Sequence, residues 1–546
     1  MKKKWGKTSF DIKGDGFIEG NQLKAFGIDG ILNKLTYQNY AYKNITFNTF
    51  GNGNEYSAEV EIDDSHLQLT ANATTNWKSA SKHIHLVAEV EQFRPHTLNL
   101  TTKHPNTNFS GDIHVGFTGK NIENLEGELC IENFRMESEK ETYTQSPITF
   151  SIENEDEQKH LLFDSDFMSA EIDGTFNYTS LAGNAQMFMH QYLPNIISAP
   201  KIVSKKADEL SVFVNIKDLS ILEKVLELPL KMEKPGYVST YFNSENNDLS
   251  FNASFPAIAY DQQKAKDVEV IIGQSNDSIE CNVKINKEFG STPVDIVVNA
   301  TGLDDHIKTN INWSNKINDL YKGHVGINTF FTPNENYGRD ISFVIDPSEV
   351  TLNDTLWNIH RSQIDITEEH IIVDNFKIEN KSHHICVNGQ VSDDINDSLH
   401  IDLKEINLEY LFDIINFKPV DFGGIATGKA YAVNLKKNAK IEGDVDVQDF
   451  TFNHAHLGDL DIIIGWGQEE NAININAHIE DPKNNGITDV NGEVRLGAPP
   501  RGGLDLMINT QNIDLYFLNK YTKEIFTNMN GRASGWTRVF GPFKDI

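Results

Sequence analysis

From one end of the chain to the other, apolar and polar residues alternate one for one, the period of an extended strand with a single apolar face. Leu249, Phe251, Ala253 and Phe255 alternate with Ser250, Asn252 and Ser254. Ile279, Cys281, Val283 and Ile285 alternate with Glu280, Asn282 and Lys284, and Ile473, Ile475, Ala477 and Ile479 with Asn474, Asn476 and His478. Shorter runs of the same kind are Ala58, Val60, Ile62; Leu67, Leu69, Ala71; and Ile307, Thr309, Ile311, Trp313. Turn-forming residues separate the runs, among them Asn52 and Gly53, Asp63 and Asp64, Asn246 and Asn247, Asp304 and Asp305, and Asn484, Asn485 and Gly486. The pattern predicts consecutive antiparallel hairpins, on the order of 40 strands at roughly 12 to 14 residues per strand and turn.

That is too many strands for one sandwich, and 546 residues exceed the size at which one hydrophobic core stops growing. Four segments carry helical spacing instead: Ser180 to Tyr192, Leu219 to Leu228, Leu408 to Phe417 and Leu515 to Phe526. Three of them belong to an internal repeat in which a strand (from Leu210, Leu399 or Leu504) runs into a residue suited to cap a helix (Asp218, Asn407 or Asn512). After the helix, Gly236, Gly428 or Gly531 restarts a strand. The repeat divides the chain into an N-terminal β segment (1–205), a unit opening with strand, helix and strand (206–398), a second unit (399–503) and the start of a third (504–546). The loop Gly497 to Gly503 joins the last two. Short helices of this kind are expected to seal the ends of a sheet, with Leu411, Phe412, Phe517 and Leu518 buried beneath them.

Charge narrows the function. Lys and Arg number 48 against 79 Asp and Glu, a net −31 that repels phosphate backbones, so nucleic acid is not an expected partner. No catalytic signature is found: no nucleophile elbow, Walker loop, HExxH helix or paired CxxC. Cys130, Cys281 and Cys386 lie more than 100 residues apart and form neither a disulfide framework nor a zinc cluster; Cys281 is read as a small apolar filler. Asp11 to Ile18 resembles the start of a calcium loop, but Lys13 and Gln22 replace the carboxylates it needs. His83 with His85, and His454 with His456, share a strand face without a third ligand. Neither a catalytic residue, nor a metal ligand, nor a cofactor site is therefore assigned, and the chain is read as non-enzymatic. There is no run of ~20 apolar residues able to span a bilayer, and the last strand approach, Gly541 to Ile546, suggests a fragment of a longer protein.

What remains is the apolar face itself. In sandwiches a second sheet covers such a face; a single sheet curled into a trough leaves it free to hold acyl chains, and periodicity alone does not separate the two. The positions chosen as trough lining are Leu249, Phe251, Phe255, Ile279, Val283, Ile311, Trp313, Ile473, Ile475 and Ile479.

Three blocks carry a family resemblance. Tyr40 to Ile45 with Gly51, Glu55 to Asp63 and Leu67 to Leu69 is the first; Val350 to Ile359 with Trp357, then Ile364 to Ile366, Ile371 to Val373, Phe376 and Ile385 to Gly389, is the second. The third is Phe422 to Tyr431 with its later echo, Asn530 to Gly535 and Phe540 to Phe543. Together they resemble the TamB proteins of Bacteroidota, in the AsmA-like superfamily. The resemblance implies an all-β fold, an elongated antiparallel β-taco or open groove built from repeated hairpins with a few short helices. It further implies a periplasmic protein, anchored to the inner membrane in its full length, that bridges the two membranes. Its expected partners are phospholipid acyl chains, or outer-membrane proteins under assembly with a BamA-like protein; a secreted array of sandwiches acting as an adhesin is the remaining alternative. At about 4.8 Å per strand, some 40 strands would give a path on the order of 190 Å.

Overall fold

The computed structural model describes residues 5–542, apart from 21, 77–80, 202–205, 262, 276, 290–291, 316–319, 335–337, 353, 393, 395, 410–420, 434–439, 468–471, 496–501 and 523–528. The alternating runs form strands as their period requires, and 36 are present among the described residues. The chain divides into two units, Met1–Asn299 and Ala300–Ile546. Within each, strands pair antiparallel with the next strand or, past a short one, with the next but one or two, as Glu209–Ile216 does with Gly236–Asn243 and Arg339–Ile345 with Ser362–Ile366, and among the described residues the Greek-key returns of a sandwich are not seen. In the first unit, for example, Tyr56–Asp64 lies between Ile45–Gly51 and Leu67–Asn76, and Asp248–Tyr260 between Gly236–Asn243 and Gln263–Ser275. In the second, Ala455–Trp466 lies between Lys440–Phe452 and Ala472–Asp481. The fold is thus all-β, an open antiparallel sheet built from repeated hairpins.

The sheets bend where extra residues enter the strands. Asn133, Asp267, Asn375, Glu405, Asp449 and Asn512 all have φ between 47° and 62°, inside strands and next to or close to breaks in register. A bulge of this kind adds one residue to one strand, bends it and sharpens its twist. Gly127, at φ +139°, marks the tightest approach: a Cβ there would lie 1.9 Å from the Gly116 carbonyl oxygen on the neighbouring strand. Small cores lie beside the bulges. Ala426, Val447, Phe450, Leu460 and Ile479 form one, beside the bulge at Asp449, and Val373, Val391 and Leu399 another, beside that at Asn375.

In the first unit the strand ends are sealed from both sides. At one end the helix Leu181–His190 seats Phe188 edge-on against Phe242, ring centroids 5.8 Å apart. It is pinned by the fully buried Asp208, whose carboxylate accepts hydrogen bonds from the Asn184 side chain and the Asn177 backbone N–H. At the other end the irregular segment 94–107 inserts Leu98, 0% exposed, against Tyr42 and Ile45. The same segment is tied to the chain just beyond the short helix Ser220–Lys224: Lys103 Nζ donates to the Leu226 carbonyl at 2.6 Å.

Several local expectations change. Asp218 and Asn407 accept the backbone N–H two residues on, as caps do, at 3.0 and 2.8 Å. In the third repeat the cap is Asp514, which accepts from the Tyr516 N–H at 2.9 Å, because Asn512 is taken up by a bulge. Gly428 lies in mid-strand, since Phe422–Val433 starts six residues earlier. Phe517 and Leu518 are half-buried instead of buried, with Phe517 packed on Phe452 at 5.7 Å. Leu411 and Phe412, like most of the loop Gly497 to Gly503, lie outside the described residues. Asp11 to Ile18 is not a loop but part of the strand Trp5–Glu19. His454 sits in a turn at φ 66°, so it shares no strand face with His456.

Candidate apolar groove

Directly opposed residues of an antiparallel pair project from the same face, so register alone traces that face across each unit. In the first unit Val60 stands opposite Phe47 on one side and Ala71 on the other. The line continues through Ala88, Ile113 and Ile131, then Ile148, and along the same face to Phe150, Phe163 and Ala170. It reaches Val214, Val238, Ala253, Val270 and Val283 without leaving the face. In the second unit Ile401, Ala430, Gly443, Ile464, Ile475, Gly492 and Leu506 are joined in the same way.

The ten chosen residues all fall on these faces. Leu249, Phe251 and Phe255 share theirs with Ile279 and Val283, through Ile272 and its neighbours on the strand between. Ile311 and Trp313 stand opposite Val325 and Gly323; Ile473, Ile475 and Ile479 stand opposite Val494, Gly492 and Thr488. Their burial separates them. Ile279 and Ile479 are buried, at 8% and 6% exposure, and belong to the packed ends; the other eight are half-buried and in contact with open space. Cys281 is opposite Ile272 on the same face, and burial pushes its thiol pKa up, in keeping with an apolar filler.

The opposite face carries the charge. Glu59, Glu61, Glu89 and Glu128 occupy the positions alternating with the apolar line, and cross-strand pairs such as Lys284 with Glu269, at 3.2 Å, are exposed. Exposed pairs of this kind contribute little to stability, and their consequence is solubility. This face also bears exposed apolar side chains, Phe213, Ile271 and Ile463 among them. A hollow of about 290 Å³ lies here too, lined by Glu171, Asp173, Ser211, Phe213, Ser239, Tyr241 and Asn252; its polar lining does not suit an acyl chain.

One group on the apolar face was not anticipated. Lys159 stands in phase with Leu161 and Phe163 and opposite Gly174, yet its ammonium group is buried. It donates to Glu123 at 3.1 Å and to the Phe176 carbonyl, and lies 4.3 Å from the centre of the Tyr178 ring. A lysine interrupting an alternating apolar run is the signal that could have found it. This cluster ties down the chain entering the helix Leu181–His190 and leaves no free charge to contact a guest.

Among the described residues no group of three or more His, Cys, Asp or Glu could hold a metal ion, and no helix is long and apolar enough to cross a membrane. Comparison with protein-family models and with curated proteins returns no match.

Proposed function

We propose that the apolar face is a path for lipid acyl chains and that the protein is a non-enzymatic lipid conduit, as the TamB resemblance implies. The observation that supports this reading best is the line of apolar, mostly half-buried residues running across the strands within each unit, with the strand ends of the first unit sealed. Each CH₂ carried out of water is worth ~0.8 kcal/mol, so a 16-carbon chain crossing bare would face roughly 13 kcal/mol. A continuous apolar face removes most of that barrier, and the absence of convergent polar groups suits sliding rather than fixed binding. The site of action we infer is the periplasm, between the inner and outer membranes, with phospholipid as cargo and an inner-membrane anchor in the full-length protein.

Lipid extraction and native mass spectrometry of protein purified without detergent test the reading. Many bound lipids of mixed headgroup are expected. A single tightly held ligand would make the chain a binding protein, and no lipid at all would remove the conduit reading.

A second reading has its own observation. The strand Trp5–Glu19 is exposed along its whole length and carries Trp5, Phe10, Phe17 and Ile18 into solvent, the property that lets an edge template an incoming strand. It favours assistance to outer-membrane protein assembly with a BamA-like partner. A stable complex with an unfolded barrel protein, free of lipid, would select it.

A further inference from the structure

Glycine inside a strand costs stability, so a strand glycine needs a reason. Gly30, Gly51, Gly236 and Gly323 lie within or at the ends of strands, on the apolar face, and none has the positive φ that would demand glycine. Each has an aromatic ring in the space where its side chain would be. A Cβ on Gly30 would lie 2.3 Å from Phe47 Cζ, and one on Gly323 2.3 Å from Trp313 Cζ2. On Gly51 it would lie 2.5 Å from Phe26 Cε1, and on Gly236 2.5 Å from Phe255 Cδ1. Three of these pairs are direct cross-strand partners: Gly30 with Phe47, Gly51 with Phe26, and Gly323 with Trp313. In these three direct pairs the outer part of the ring fills the space above the glycine, so the ring reclines along the sheet instead of standing up from it; over Gly236 it is the near edge of Phe255, with the Ser254 carbonyl oxygen 2.8 Å from the same Cβ position.

We infer that the three direct pairs set the free depth of the apolar path: the glycine gives the ring a bed, and the reclined ring keeps the path clear for bulky as well as linear acyl chains. This rests on the acyl-chain reading above. A side chain on the glycine would leave the face just as apolar but would push the ring off its bed by roughly 1 to 2 Å, until ring and Cβ reach the ordinary contact distance of about 3.5 to 4.0 Å. It would change the shape of the path and not its hydrophobicity. Bulky chains would be lost first.

The test uses the full chain with two probes, palmitate and a stearate bearing a bulky nitroxide ring on its chain, bound and counted by native mass spectrometry. Gly323→Val should weaken binding of the nitroxide stearate by about tenfold, the scale of overpacking a filled site, with palmitate changed far less. Adding Trp313→Leu to Gly323→Val should restore nitroxide stearate binding, because the smaller side chain no longer needs the bed. Thermal unfolding of each variant is followed alongside, with Gly323→Ala as the milder replacement. Unchanged binding of both probes in a folded Gly323→Val variant would overturn the inference while leaving the acyl-chain path intact. Loss of fold in both glycine variants, not rescued by Trp313→Leu, would overturn it too, since the glycine would then serve the backbone. Failure of the wild-type protein to bind either probe would instead defeat the acyl-chain reading on which the inference stands.

Discussion

The Lys159 ammonium group lies 3.1 Å from the Glu123 carboxylate, which also accepts the backbone N–H groups of Tyr178 and Thr179 at 2.9 and 3.1 Å. A buried cation is thereby matched by an anion whose other lone pairs are filled, the condition under which burying a charged pair is tolerated. Burial by itself would raise the Glu123 pKa, but the hydrogen bonds from Lys159, Thr179 and Tyr178 outweigh it and hold the carboxyl below its ordinary value.

Removing the Glu123 charge should therefore loosen this end of the first unit. Glu123→Gln leaves the Lys159 ammonium buried without its anion, at a cost of about 3 kcal/mol. Faster hydrogen exchange in Leu181–His190 and in the strand Gln158–Asp164 is the expected readout. Since the folded pKa lies below the unfolded value of about 4.3, the stabilisation is complete above that pH and is lost as pH falls through the lowered folded value. The gap in stability between wild type and Glu123→Gln should accordingly close in acid. A gap unchanged down to pH 3 would show that the pair is not what holds the segment.

Ile475 and Ile479 share a strand and a face but not an environment, and a carboxylate should distinguish them. At Ile479, packed among Ala426, Val447, Phe450 and Leu460, an unpaired charge has no access to water; truncation to alanine alone would cost about 2 to 5 kcal/mol. Ile479→Asp is expected to unfold its unit. Ile475→Asp, like Phe251→Asp, is half-buried beside open space and should leave the circular dichroism spectrum intact while reducing bound lipid. Equal unfolding at both positions would mean that the face is closed.

The contrast also shows what could be read from sequence. Alternation gave the strand phase that Leu249, Phe251 and Phe255 share in the first unit and Ile473, Ile475 and Ile479 share in the second, because phase is a local property with a period of two. It could not tell Ile479 from Ile475, since burial depends on which side chains from elsewhere pack on the face, and Leu408, Phe422, Phe452 and Leu457 pack against the cluster that holds Ile479. The bulges themselves were hidden: Asn375, Glu405 and Asp449 look like ordinary polar residues until the partner strand's register is known. Capping was legible where the residue two positions ahead of the helix stayed free, at Asp218, and misplaced where a bulge claimed it, at Asn512. The segment 94–107 has only the brief alternation Leu98, Asn99, Leu100, too short to mark an element, and nothing short of the fold reveals it as a plug.

The close approach at Gly127 should be intolerant of any side chain. Gly127→Ala would place Cβ against backbone, the Gly116 carbonyl oxygen at 1.9 Å and Phe117 Cα at 2.7 Å, where no rotamer change can relieve it, and φ +139° adds strain of about 1 to 3 kcal/mol. A drop in thermal midpoint of several degrees is expected. Gly465→Ala, with nothing within 4 Å of the new methyl, serves as the control and should be neutral. Comparable losses from the two substitutions would mean that glycine content alone, through backbone entropy, governs both.

On the charged face, His478 offers a check on the cross-strand register. Its Nδ1 lies 2.7 Å from Asp489 on the paired strand and its Nε2 3.6 Å from Glu480. The hydrogen bond to Asp489, helped by the nearby charge of Glu480, raises the His478 pKa above its usual 6.5. A raised folded value means that the pair's stabilisation is fully present below the unfolded pKa and fades as pH rises through the folded one. The histidine is 43% exposed, so its effect on stability should be small and is better followed by NMR titration of the ring than by unfolding. Asp489→Asn should bring the titration midpoint down toward 6.5, and Glu480→Gln should lower it less. A midpoint unmoved by Asp489→Asn would contradict the pairing of Ala472–Asp481 with Gly486–Arg495 at this position, and with it the register that carries Ile475 onto the apolar face.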